Sequence, residues 1–386
     1  MTPIATAGLP IREYILVGLI SATLTFLLTG LVRRFAVRAG AIANPRARDV
    51  HVVPIPRMGG LAMYFGVAGG MAMAHQLPVL RRAFEYSLDP VGVLIGGGVI
   101  VLIGAIDDRF EIDAWTKLAG QVLSAGILVI FGVQWNVFWV PWGGNGASLG
   151  QVVTLDSNQG SLLMVGLVVM LVNAMNFVDG LDGLAAGLGF IAATATCAFS
   201  LGLLDSAGGD VGTYPPALIA ATLAGACLGF LPHNFQPAKI FMGDSGSMMI
   251  GLMLAGATTS ASGKINYTRF GGSDALALLS PLLVMIAVLF LPVLDLLMAV
   301  IRRTRRGESP FAADKMHLHH RLLEIGHSQR RAVLLIYLWA GLLGFGAVSL
   351  TLFDTTAVLW IGGIGLLFAT VVSLIPRLRK PPNGVL

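Results

Sequence analysis

Three features of the 386-residue sequence predict an all-α, polytopic membrane protein built as a single domain over residues 1–386. Hydrophobic residues make up 55% of the chain and charged residues 12%, against about 25% charged in soluble domains. Apolar runs of about 20 residues, the length that crosses a bilayer core, recur about eleven times. Lysines and arginines gather in alternate connections, as cytoplasmic loops require. The net charge of +5 therefore belongs to one face of a membrane protein, and no nucleic-acid partner is expected.

The first apolar run, near 14–32, exceeds a signal-peptide core and ends in Arg33 and Arg34, which predicts a retained helix with its N-terminus outside. The further spans are expected at 59–78, 91–107, 117–134, 160–177, 184–203, 214–231, 246–262, 275–300, 332–353 and 355–376, after a first at 12–32. This topology puts 20 of the 25 Lys and Arg residues inside, leaving Arg12, Arg81, Arg82, Lys264 and Arg269 outside. The C-terminus is then cytoplasmic. Segment 135–158 alternates around a GGNG turn and predicts a small external hairpin, with Trp135, Trp139 and Trp142 as interfacial aromatics. Cys197 and Cys227 lie in apolar runs, where packing explains them better than a disulfide or metal.

The polar clusters all fall on the inner side. A transporter would instead keep such groups near the midplane, on broken helices in paired halves. Asn173, Asn176, Asp179 and Asp182 recur every three residues in NAMNFVDGLDGLAAG, so neighbours in the series adjoin on a helix. Gly180 and Gly183 loosen the helix end and allow both carboxylates to face one point. A simple turn between spans is the competing reading, weakened by two DG pairs directly after two amides. Asp107 and Asp108 close the third span, where paired carboxylates suit a divalent cation or proton transfer, or merely end a helix. Lys117 is either a snorkelling anchor or a phosphate clamp.

Asp244 in FMGDSGS precedes small residues that open a span, a position for an N-cap or for a metal–phosphate complex. Asn234 and Phe241, in HNFQPAKIF, offer an amide and a ring for a base, or ordinary loop packing. The loop RRTRRGESPFAADKMHLHHRL holds His317, His319 and His320 among Arg302, Arg303 and Arg321. Without cysteine or HExxH, phosphate handling explains it better than zinc, although arginines there also fix topology. Asp295 lies about 10 Å inside the preceding helix end, where an acid pairs with a base or faces a polar cleft.

NAMNFVDGLDGL, MGDSGS and HLHH, in this order on a polytopic chain, resemble the polyprenyl-phosphate N-acetylhexosamine-1-phosphate transferases, the superfamily of MraY, WecA and TagO. The resemblance runs from about His51 to His327. HLHH and the first inner loop, HVVPIPRMGG, are closest to the WecA and TagO branch; the lysine-bearing KxxTPTMGG loop and three-histidine run typical of MraY are absent. The Gly- and Ala-rich composition is most similar to actinobacterial WecA-type proteins.

The resemblance implies a Mg2+-dependent enzyme, with Mn2+ as a substitute, that transfers GlcNAc-1-phosphate from UDP-GlcNAc to decaprenyl or undecaprenyl phosphate. The product would open a lipid-linked cell-wall glycan such as the arabinogalactan linker. The MraY reaction and a polyprenyl-lipid transporter are the alternatives. It further implies Asp244 and Asn176 as metal ligands with Asp179 nearby, Asp107 and Asp108 as the family's aspartate pair, and Lys117 on the lipid phosphate. Gly180, Leu181, Asp182, Asn234 and Phe241 correspond to the uracil site, and His317, His319, His320 and Arg321 to the sugar and phosphate loop. His51 and Arg57 stand in the first inner loop without its usual lysine. A homodimer in the plasma membrane, its site facing the cytoplasm, completes the expectation. Direct attack by the lipid phosphate and a covalent aspartyl intermediate both fit these residues.

Overall fold

The computed structural model describes residues 9–43, 54–140, 151–263, 283–284, 286–287, 290, 297–298, 300–307 and 327–375, and the structural statements below concern these. The helices are α1 (Ile11–Ala39), α2 (Gly59–Ala74), α3 (Arg82–Tyr86), α4 (Asp89–Phe110), α5 (Ala114–Ile130), α6 (Ser157–Val178), α7 (Leu184–Ser206), α8 (Tyr214–Asn234), α9 (Gly243–Gly263), α10 (Gln329–Leu352) and α11 (Thr355–Leu374). Ten of the expected spans coincide with one of these, and the 275–300 span falls on residues of which only scattered helical positions are described. Among the described residues, seven helical stretches are long and apolar enough to cross a membrane. The protein is therefore a multi-pass membrane protein.

Several helix starts are written locally. Asp113 accepts hydrogen bonds from the Trp115 and Thr116 amides and opens α5. Asp156 and Gln159 form a reciprocal capping box at α6, and Asp354 caps α11. Each satisfies amides that a helix start leaves without an intrahelical acceptor.

Helix α9 is the axis of the molecule. All its residues from Gly243 to Ser262 are buried except Asp244, and α2, α4, α6, α7 and α8 pack around it. Its glycines, alanines, serines and threonines suit this position, because small side chains let neighbouring backbones approach where lipid supplies no hydrophobic drive. Helix α11 is the opposite case. It packs on α10, buries Ala369, and exposes Leu359, Trp360, Ile361, Ile364, Leu367 and Phe368, as a lipid-facing helix does.

Two short antiparallel ribbons complete the fold. The hairpin expected within 135–158 forms, with β3 (Val137–Val140) paired to β4 (Gln151–Thr154). Trp135, however, is not interfacial: it is 3% exposed within the main core, its carbonyl packed against the Gly160 backbone at the start of α6. Trp142 lies outside the described residues. The second ribbon, β1 (Ile42–Ala43) with β2 (Ile55–Pro56), was not expected from the sequence. At the end of the bundle away from the clustered polar residues, Ser260 Oγ donates to buried Asp89 at 2.5 Å, tying α9 to α4.

Candidate active site

The alternation of the helices brings the C-terminal ends of α4, α6 and α8 together with the N-terminal ends of α2, α5, α7 and α9. The polar residues of five separate sequence segments meet there. The meeting point is the first turn of α9, fixed by three backbones at close quarters. Gly243 has a φ of +70°, in the left-handed region that favours glycine, and a side chain there would overlap the Asp108 carboxylate. Gly60 of α2 and Gly104 of α4 let their helices rest directly on the Ser245–Gly246 backbone.

Asp108 is committed to this turn. Its carboxylate accepts from the Asp244 amide at 2.9 Å, the Ser245 amide at 3.4 Å and the Ser245 hydroxyl at 2.9 Å, and it is 5% exposed. It caps α9 from another helix, where a negative charge also matches the helix dipole. The two adjacent aspartates thus have different partners in this structure. Neighbours on a helix point about 100° apart, so Asp108 reaches the first turn of α9 while Asp107 faces Lys117.

Asp107 meets Lys117 Nζ at 2.7 Å, and the same ammonium meets Asp244 at 2.8 Å. Lys117 thus bridges α4 and α9 from α5. The second Asp107 oxygen accepts from the Ile112 amide at 2.9 Å, which orients the carboxylate. Asn176 of α6 donates to Ser247 Oγ at 3.0 Å and stands beside Asp244. Among the described residues, no three His, Cys, Asp or Glu side chains could hold a metal ion by themselves. The oxygen donors of Asp107, Asp244 and Asn176 nonetheless fit a hard cation such as Mg2+, which typically takes one or two carboxylates and completes its shell with water and substrate phosphate.

Asp179 follows α6 and faces the same space. Removal from water, and then the Asp244 and Asp108 charges, push its carboxyl up to about 8, against an opposing pull from Arg57. The group therefore holds its proton more readily than an ordinary carboxyl, and nearby positive charge favours its ionised form. Arg57 reaches this space because its loop is stitched down: its amide donates to Ala41 O at 3.0 Å, Phe241 N donates to Pro56 O at 2.8 Å, and Gly59 N donates to Phe241 O at 3.0 Å.

The 179–183 and 235–241 loops are bonded to each other. The Ala238 amide donates to Asp182 at 3.0 Å. Asn234, 2% exposed, accepts from the Gly183 amide and donates to Ile240 O, both at 3.1 Å. Its amide thus joins the two loops; of the other residues expected at the uracil site, Gly180 is exposed and Asp182 and Phe241 are half-buried. Leu181 is buried beneath them. Asn173 is structural support, donating to Gln121 at 2.8 Å and to Val169 O at 2.7 Å.

Arg303 is buried, with its guanidinium 5.5 Å from the centre of the Phe177 ring, so it borders the Asn176–Asp179 segment. Arg302 is on the same described helical stretch. His51, Asp295, His317, His319, His320 and Arg321 lie outside the described residues. Sequence reasoning missed Tyr337, whose hydroxyl donates to Gly183 O, and the Gly59–Gly60 pair. The RMGG string signalled the latter, since paired glycines at a helix start mark a close backbone approach.

The chain is similar to known proteins over nearly its whole length. The profile of Glycosyl transferase family 4 matches residues 90–262. The chain is 57% identical over 378 residues to the decaprenyl-phosphate N-acetylglucosaminephosphotransferase of Mycolicibacterium smegmatis, covering 98% of this chain and 92% of that protein. It is 55% identical over 380 residues to the Mycobacterium leprae protein of the same name, covering 98% and 94%. It is 28% identical over 326 residues to the undecaprenyl-phosphate alpha-N-acetylglucosaminyl 1-phosphate transferase of Escherichia coli, covering 83% and 79%. With lysine-bridged carboxylates at a buried helix start and near full-length identity of this order, the chain belongs to the polyprenyl-phosphate N-acetylhexosamine-1-phosphate transferases, within the WecA and MraY superfamily.

Proposed function

We propose that the protein transfers GlcNAc-1-phosphate from UDP-GlcNAc to a polyprenyl phosphate, decaprenyl or undecaprenyl, giving polyprenyl-diphospho-GlcNAc and UMP. The observation that carries this reading is Lys117 held between Asp107 and Asp244 at one end of a membrane bundle. A lipid phosphate and a water-soluble nucleotide sugar meet only at such an interface. We read the topology as eleven spans with the N-terminus outside, which turns this end to the cytoplasm at the plasma membrane.

Phosphoryl transfer asks mainly for positioning and neutralised charge. The lipid phosphate, largely dianionic at neutral pH, attacks the sugar-bearing phosphorus. The new P–O bond forms as the bond to the bridging oxygen breaks, and that electron pair leaves with UMP. Lys117 attracts the incoming phosphate, and Asp107 aims the ammonium. Asp244 and Asn176 would hold Mg2+, which would supply charge neutralisation for the donor's phosphates. Asp182 and Phe241 bind the base, Arg303 lines the phosphate side, and Asp108 keeps Asp244 in place. No general base is needed for a dianion.

Purified full-length protein supplied with decaprenyl phosphate, Mg2+ and radiolabelled UDP-GlcNAc should release UMP and form a radiolabelled lipid. UDP-MurNAc-pentapeptide should give none. Release from neither donor would sink the enzyme reading, and release from the pentapeptide alone would move the chain to the MraY reaction. EDTA should abolish turnover and added Mg2+ restore it; full activity in EDTA would remove the metal from the scheme. Lys117→Met should raise the acceptor KM by about tenfold or more through loss of a charge-assisted contact, read by varying decaprenyl phosphate at saturating donor.

A further inference from the structure

Helix α10 contributes nothing to the carboxylate cluster, yet its N-terminal turns touch both loops assigned to the nucleotide. Gln329 accepts from the Gln236 side chain at 2.6 Å, and Arg330 donates to the Gln236 carbonyl at 2.9 Å. Two turns further on, the Tyr337 hydroxyl donates to the Gly183 carbonyl. Gly183 is also the residue whose amide Asn234 accepts, so both polar groups of one peptide position are held, one from α8 and one from α10. The tyrosine ring lies flush on α7. A Cβ at Gly187 would overlap it, which explains why NAMNFVDGLDGLAAG ends in glycine.

These contacts join segments that are far apart in sequence and have no bonding need of each other. The Gly183 carbonyl, at the start of α7, is not one of the orphaned acceptors of a helix end, and Gln236 lies in a loop where water could satisfy it. Their engagement by one helix fixes the spacing between the loops.

We propose that Tyr337 and Arg330 are positioning residues for the donor: the start of α10 clips the 179–183 and 235–241 loops together and presets the gap that receives the uridine. The proposal rests on the reading that these loops receive the nucleotide end of UDP-GlcNAc. Preorganising a loop raises affinity by removing an ordering cost that binding would otherwise carry. Loosening the clip therefore weakens donor binding and leaves the acceptor side and the transfer step alone.

The test is steady-state kinetics of the purified full-length protein with Tyr337→Phe and, separately, Arg330→Ala. Each should raise the KM for UDP-GlcNAc by about tenfold, equivalent to about 1.4 kcal/mol, while kcat and the KM for decaprenyl phosphate stay within about twofold. An unchanged donor KM in either variant overturns the proposal, as does a parallel loss of kcat with both KM values unmoved. Asp182→Ala separates it from the reading beneath it. If Asp182→Ala also leaves the donor KM unchanged, the loops do not receive the nucleotide. If it raises that KM and Tyr337→Phe does not, the clip alone is lost. Gly187→Ala adds a second route, because displacing the ring should reproduce the Tyr337→Phe phenotype, and an unaltered donor KM would again overturn the proposal.

Discussion

Replacing Asp244 by alanine is expected to lower kcat by about three orders of magnitude or more, equivalent to about 4 kcal/mol of barrier. The residue is the one position between Gly243 and Ser262 of α9 that is not buried, carries one arm of the Lys117 bridge and stands beside Asn176. Its loss removes an oxygen donor for a cation and frees Lys117 to pair wholly with Asp107. Fold stability should change little, because the amide that Asp108 accepts is backbone and survives the substitution. UMP release at saturating Mg2+, set beside the melting temperature of the detergent-solubilised protein, measures both. An active variant at ordinary Mg2+ would contradict the assignment of Asp244.

The second large effect is expected at Asp108, and by a different route. Asp108→Ala strands the amides of Asp244 and Ser245 and the Ser245 hydroxyl, each costing about 1–3 kcal/mol when buried without an acceptor. The first turn of α9 shifts, and Asp244 with it, so both melting temperature and kcat fall, the latter by about a hundredfold or more. Asp108→Asn keeps one carbonyl oxygen and should recover part of each. A chemical role at the phosphates predicts another outcome: an asparagine variant as inactive as the alanine variant, with the melting temperature of the parent protein. The two readings thus separate on one pair of proteins.

The helices were legible because membrane spans announce themselves. Each is a long apolar run, although α5 and α6 start at Ala114 and Ser157, ahead of the expected 117 and 160, because Asp113 and Asp156 cap them. The composition of the site was legible for a related reason, since polar residues at the ends of such runs are too costly to be incidental. What could not be read was direction. Asp107 and Asp108 are the same residue type on neighbouring positions, and only the placement of α9 decides which of them caps a helix and which holds a lysine. Asn234 has the chemistry of a base-recognition group, and its bonds to Gly183 and Ile240, which join two distant loops, could not be read from sequence. The β1–β2 ribbon and the left-handed Met58, φ +72°, follow from backbone bonds to Phe241 and Met242, partners more than 180 positions away that no local pattern reveals. Tyr337, within an apolar run, looked like any other membrane aromatic.

The enclosure of α9 has a mechanical consequence. A bilayer that thins, thickens or changes lateral pressure acts first on the helices it wets, α11 and the outer face of α1. Such helices absorb mismatch by tilting. The helix bearing Asp244 is separated from lipid by a full ring of neighbours, so little of that strain reaches the carboxylate. The transfer site is thereby insulated from the solvent in which its acceptor is dissolved, and lipid composition should govern how readily the acceptor arrives more than how fast it reacts.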